Sequence, residues 1–186
     1  MLKAIFTILI MSISSHAIVE SQIQKVMDTK VHQVLNILKN STLSQIQKES
    51  RSIKIMDSVF DYNTMAKISL GKKWKSLNTT EKKQFTKAFE KKIKHSYVDK
   101  LRLYNNQKVI TKDLKKVKST RITLENQIIG KTDTYKVVYL FYKDKKKNQW
   151  YIYDVRLVGV SIIQTYRKQF ASFLKTKSFQ QLLESL

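Results

Sequence analysis

Hydrophobic spacing in this chain changes period at Asn105-Asn106 and changes back after Gly159. Up to Asn105-Asn106 the apolar residues recur every three or four positions, and from there to about Leu157 they alternate. A helix repeats its buried face about every 3.6 residues and a strand every two. The helices are therefore gathered in the first half, and the strands follow one another directly. Strand-after-strand order with short turns demands an antiparallel sheet, because parallel neighbours need long crossovers.

In the helical half, Ile23, Val26, Met27, Val31, Val34, Leu35 and Leu38 form one face of a long helix. Ser41 or Thr42 is expected to cap a short second helix through Ile46, with a further helical segment over 53–60. Asp61 reads as the N-cap of a short helix that Gly71 ends. Asn78 or Thr79 opens the next helix, with Glu81 in its first turn. Phe85, Phe89, Ile93, Tyr97 and Leu101 then follow at four-residue steps. That stripe is either ordinary core or one wall of an apolar cavity.

Four strands are expected at 107–117, 120–129, 132–144 and 148–157, joined by turns at Lys118-Ser119, Gly130-Lys131 and Lys145-Lys146-Lys147. The third strand is apolar on both sides, with Val137, Tyr139 and Phe141 on one and Val138, Leu140 and Tyr142 on the other. Both faces must then be at least partly covered, by helices or by an apolar ligand. A helix over 159–175, with Val160, Ile163, Tyr166, Phe170 and Phe173 inward, and a short terminal helix capped by Ser178 complete the order. The fold class is α+β: a twisted four-stranded antiparallel sheet packed with several helices around an apolar ligand cavity.

Near the N-terminus, Lys3 precedes an apolar run over 4–13 and the sequence Ser14-Ser15-His16-Ala17. Ser15 and Ala17 fit the small-x-small cleavage rule, so 1–17 reads as a secretory signal peptide and 18–186 as one domain. The run is shorter than the roughly 20 apolar residues a permanent span needs. Without cysteine, the exported domain must be held by burial and hydrogen bonding alone.

The charge is lopsided, with 36 Lys and Arg against 14 Asp and Glu, a formal net +22. The arginines, Arg51, Arg102, Arg121, Arg156 and Arg167, are scattered, and no cluster of arginine forks with stacking aromatics is visible. No nucleic-acid partner is expected. The excess reads mainly as a biased composition of solvated lysine, with steering toward anionic headgroups or acidic surfaces as the second reading.

Catalytic signatures are missing. His32 and His95 lie in helical patterns without ligand-spaced companions, so no metal site is expected. No nucleophile elbow or phosphate-binding glycine loop is present. Asp61 and Asp154 are conceivable as an acid and base, but each has a structural reading. Asp61 caps a helix, and Asp154 pairs with Arg156, Arg167 or a backbone group at the strand-to-helix corner. Ser161 reads as a helix cap. No enzyme is expected.

Two blocks carry a family resemblance. One is Trp150-Tyr151-Ile152-Tyr153-Asp154-Val155-Arg156-Leu157-Val158-Gly159-Val160-Ser161-Ile162-Ile163, an aromatic strand running through a glycine into a helix. The other is Val59-Phe60-Asp61-Tyr62-Asn63-Thr64-Met65-Ala66-Lys67-Ile68-Ser69-Leu70-Gly71 with Trp74, followed by Gln84-Phe85 and Phe89. Together they resemble the MlaC, or toluene-tolerance, family of periplasmic phospholipid-binding proteins. Val158 departs from the family pattern, in which a carboxylate is common at that place.

The resemblance implies a monomeric periplasmic carrier, with phospholipid as cargo and no other cofactor. It implies two partner assemblies: an outer-membrane lipoprotein complex, and an inner-membrane ABC transporter complex with its substrate-binding ring. Combined with inward periodicity, it places Phe60, Met65, Leu70, Phe85, Phe89 and Tyr97 on the helical wall of the lipid pocket. Val137, Tyr139, Val155, Val160, Ile163 and Tyr166 would supply the sheet and the closing helix. A protein- or peptide-binding module without lipid cargo is the alternative, and would use an exposed sheet edge or a shallow groove.

Overall fold

The structure, a computed structural model, describes residues 18–186, so the expected signal peptide at 1–17 lies outside the described residues. Within them, the first half is helical: α1 (Ile23–Lys39), α2 (Gln45–Asp57), α3 (Tyr62–Leu70) and α4 (Thr79–Arg102). Strands β1 (Lys108–Lys118), β2 (Arg121–Ile129), β3 (Thr134–Asp144), β4 (Gln149–Leu157) and β5 (Val160–Ser161) follow, then α5 (Ile162–Phe173) and α6 (Phe179–Glu184). The strands form one antiparallel sheet in chain order, which is the α+β arrangement expected.

Local chemistry explains most boundaries. Asn78 and Glu81 form a reciprocal capping box at the start of α4, and Ser178 with Gln181 does the same for α6. Asp61 caps α3 through the Thr64 amide, and Gly71 at φ 61° ends it. Ser161 caps α5 through the Gln164 amide.

Two expectations are corrected. The second helix is a single element starting after Ser44, whose capping box with Gln47 supersedes Ser41 and Thr42. Ile46, expected as the end of the short helix, instead lies in the first turn of α2 and points to solvent at 78% exposure. The sheet also has a fifth strand. Val158 at φ 51° and Gly159 at φ 81° reverse the chain, so Val160 and Ser161 pair back onto Leu157 and Arg156 before α5 begins.

The interior has two apolar clusters. One lies on the sheet face that carries Ile122, Leu124, Phe141, Trp150 and Ile152, covered by Ile23, Met27 and Val34 of α1 and Met56 of α2. The other is helical and built from Met65, Leu70, Phe85, Phe89, Ile163, Phe170 and Leu182. Phe60 packs against both. Its backbone runs parallel beside β4 at Ile152, with the Asp61 amide donating to the Ile152 carbonyl (3.0 Å) and the Ile152 amide to Val59 (2.8 Å). No helix among the described residues is long and apolar enough to cross a membrane.

Candidate functional site

Ten of the twelve candidate residues lie in or against the two clusters. Met65, Leu70, Phe85, Phe89 and Ile163 are buried in the helical cluster, with Tyr166 packed against it. Tyr97, Tyr139 and Val155 pack on the sheet cluster, Phe60 bridges the two, and Val137 is buried on β3. Val160 stands apart, 62% exposed. The expectation that it faces inward is corrected: it sits in β5, ahead of the first turn of α5, so the helical phase that directs Ile163 inward does not apply to it. Val160→Glu is therefore expected to shift stability by no more than about 0.5 kcal/mol, checked by denaturant unfolding.

Aromatic geometry organises the helical side. Phe85 and Phe89 are stacked at 5.8 Å between ring centroids. Phe89 meets Tyr166 (5.2 Å) and Phe170 (5.7 Å) edge to face, the arrangement favoured by ring quadrupoles. The Tyr166 hydroxyl is hydrogen-bonded to Ser96 Oγ at 3.1 Å, which ties α5 to α4.

Polar tethers fix the rim. The Tyr142 hydroxyl donates to Asp61, which also accepts from Thr64 Oγ1 (2.7 Å), so β3 is pinned to the start of α3. Lys94 donates to Asp57 (2.7 Å) and Glu90 (2.6 Å), and the Tyr62 hydroxyl donates to Asp57 (2.8 Å), joining α2, α3 and α4. Asp154 accepts from Ser161 Oγ (2.6 Å) and from the amides of Val155 (2.8 Å) and Ile163 (3.1 Å). Of the partners weighed for Asp154, the structure selects the backbone corner together with a hydroxyl that sequence spacing had read only as a cap. Asp61 and Asp154 are both occupied in holding chain corners.

Burial raises the Tyr139 hydroxyl to about 12, and burial followed by its bond to Asp61 raises Tyr142 to about 12. Tyr97 moves the same way, through burial and then the neighbouring Tyr139. The unfolded chain releases these protons near 10 while the native state keeps them. Native stability is thus intact below pH 10 and falls as pH rises from there toward 12. An alkaline titration should show loss of circular dichroism coinciding with a late fraction of tyrosinate absorbance. Tyrosinate formation complete near pH 10 with the fold intact would contradict this.

Among the surface recesses of the described residues are two that none of the twelve candidates lines. One, of about 750 Å³, runs along α4 at Gln84, Lys87, Ala88 and Lys91 to Leu183 of α6. The other, of about 460 Å³, is lined by Val19, Glu20, Ser21, Lys143, Asn148 and Trp150. Among the described residues no group of three or more His, Cys, Asp or Glu could hold a metal ion. His32 Nδ1 instead lies 2.8 Å from the Asp28 carbonyl, and His95 is 4.0 Å from Asp99.

Sequence reasoning passed over Asn126. It lies on the same β2 face as Ile122 and Leu124, only 1% exposed, with neither side-chain amide atom hydrogen-bonded. The signal was legible, since a lone amide interrupts an otherwise apolar alternation at 122, 124, 126 and 128.

Comparison with known proteins agrees with this fold. The family model described as MlaC protein matches residues 28–186. A phospholipid-binding protein from Ralstonia solanacearum, solved in complex with a phospholipid, superposes with a TM-score of 0.75. It is 21% identical, and the match covers 87% of this chain and 92% of that one. No curated protein matches the chain.

Proposed function

We propose that this chain, which belongs to the MlaC family, is a phospholipid carrier that takes acyl chains into the seam between its sheet and its helices and performs no chemistry on them. The observation that carries the reading is that seam. Two apolar clusters, one on the sheet and one of helices, meet at Phe60 and are joined along the length of α4. A ligand compartment between sheet and helices needs two apolar walls, and the two clusters supply them. The phospholipid held by the Ralstonia solanacearum protein of the same fold supports the same assignment.

The candidate residues pack on one another here, so loading must separate the walls. The ligand supplies the free energy for this only through better contacts with the parted state than with the closed one. Two acyl chains carry roughly 30 methylenes, and at about 0.8 kcal/mol each their gross withdrawal from water exceeds about 20 kcal/mol. Release into water is negligible on that scale. Exchange with another apolar phase is nearly balanced, which suits a shuttle whose direction is set by docking. The lining of this compartment is assigned to Phe60, Met65, Leu70, Phe85, Phe89, Tyr97, Val137, Tyr139, Val155, Ile163 and Tyr166.

The finer reading follows the family. Residues 1–17 direct export, the carrier works in the periplasm as a monomer, and it exchanges lipid with an outer-membrane lipoprotein complex and an inner-membrane ABC transporter complex. Docking, steered by the lysine-rich surface, is where closed and loaded forms interconvert. The peptide-binding alternative gains little from the sheet edge. Outer strand β1 carries Lys108, Lys112, Lys115, Lys116 and Lys118 and two register shifts, devices that disfavour strand addition.

Uptake from vesicles tests the proposal. Protein mixed with liposomes containing a labelled phospholipid, then separated by size exclusion, should elute with label. Label confined to the liposome fraction contradicts a carrier.

A further inference from the structure

Asn126 is anomalous among the buried groups of the sheet. Its strand neighbours are Thr111 on β1 and Val137 on β3, so it sits in mid-sheet with ladder partners on both sides. The backbone groups around it are engaged in those ladders. A buried hydroxyl can rotate to find an acceptor, but a planar amide on a sheet face is fixed by its two side-chain torsions. Both of its polar atoms are buried without a partner. A group left in that state opposes folding, and such exceptions call for a functional explanation.

The chemistry of the surroundings narrows what the amide can serve. Leu124, two residues along the same face, is paired with Tyr139, one of the residues assigned to the lining, and Val137 beside Asn126 is another. Thr111, on the other side, donates to the Asp28 carboxylate at 2.9 Å. The Thr111 hydroxyl is thus already engaged and the other ladder neighbour, Val137, is apolar, so burying a charged partner here would be costly. A neutral acceptor is favoured. An amide N–H donates well to an ester carbonyl, the one polar group that every diacyl phospholipid carries at the head of its acyl chains.

We infer that Asn126 is a binding residue for the acyl-ester linkage of the cargo, its side-chain amide donating to an ester carbonyl when the chains enter the seam. The assignment rests on the phospholipid reading above. It makes the protein selective for ester-linked over ether-linked lipids, because an ether oxygen is a much weaker acceptor and leaves the amide unpaired. It also accounts for the unpaired amide nitrogen of the empty protein: the loaded state gives Nδ2 the acceptor that the empty state lacks.

The test compares two vesicle sets with the same headgroup and chain length, one of ester-linked and one of ether-linked phosphatidylglycerol. The unmodified protein should take up the ester lipid about tenfold more tightly. Asn126→Leu should bring that ratio close to one and raise the melting temperature of the empty protein. Dividing the ratio in the variant into that of the unmodified protein cancels differences between the vesicles themselves. Equal uptake of both lipids by the unmodified protein overturns the role of Asn126 and leaves the carrier reading intact. A folded Asn126→Leu protein that keeps the preference also overturns it, and moves ester recognition elsewhere. Uptake of neither lipid defeats the carrier reading itself. The comparison in the unmodified protein stands even if the variant fails to fold.

Discussion

Phe89→Ala should destabilise the protein by about 3–5 kcal/mol, the range for truncating a fully buried aromatic. Phe89 is 0% exposed and is the ring on which the helical cluster converges, touching Phe85, Tyr166 and Phe170. Truncation removes three ring contacts together and leaves a void bounded by other rings on α4 and α5, which rigid helix backbones cannot close. In a domain of this size each kcal/mol moves the melting temperature by roughly 2–4 °C, so a fall of about 6–20 °C is expected in calorimetry. A fall of only one or two degrees would mean that the cluster collapses readily and is not tightly packed.

Asp154→Ala should cost a comparable amount, about 3–5 kcal/mol, for a different reason. The carboxylate is 4% exposed and satisfies two backbone amides and the Ser161 hydroxyl at the corner where β4, β5 and α5 meet. Removing it strands three donors away from water, and bonds to a charged acceptor are worth about 1.5–3 kcal/mol each before compensation. Asp154→Asn keeps one acceptor and should lose distinctly less. Chemical denaturation of the two variants separates a positioning carboxylate from a spare one: equal stability of Asp154→Ala and the parent protein would remove Asp154 from the architecture of the corner.

Much of the fold was legible because its elements carry strong local signals. Asp61, Ser161 and Ser178 cap helices where spacing placed them, and Asn78 is the one of its pair with Thr79 that caps α4, since each meets an orphan amide three residues on. The aromatic stripe on α4 was visible as four-residue steps, but its division between two clusters was not. A four-residue step overshoots a 3.6-residue turn by about 40°. The stripe therefore winds round the helix, leaving Phe85, Phe89 and Ile93 in the helical cluster while Tyr97 and Leu101 pack against the sheet.

Val160 was misplaced because its environment is set by the two left-handed residues before it, and a β-branched residue such as Val158 gives no sign of that conformation. The tether between Tyr142 and Asp61 joins positions 81 apart and leaves no trace in any local pattern. Partner choice for Asp154 was equally hidden, because Ser161 and Ile163 reach it only after the β5 reversal brings α5 back over β4.

Whether the seam holds phospholipid is decided by organic extraction and mass spectrometry of the protein purified without detergent from a Gram-negative periplasm. Close to one phospholipid per protein is expected. A folded protein that is empty on purification, and stays empty after incubation with liposomes, would contradict it.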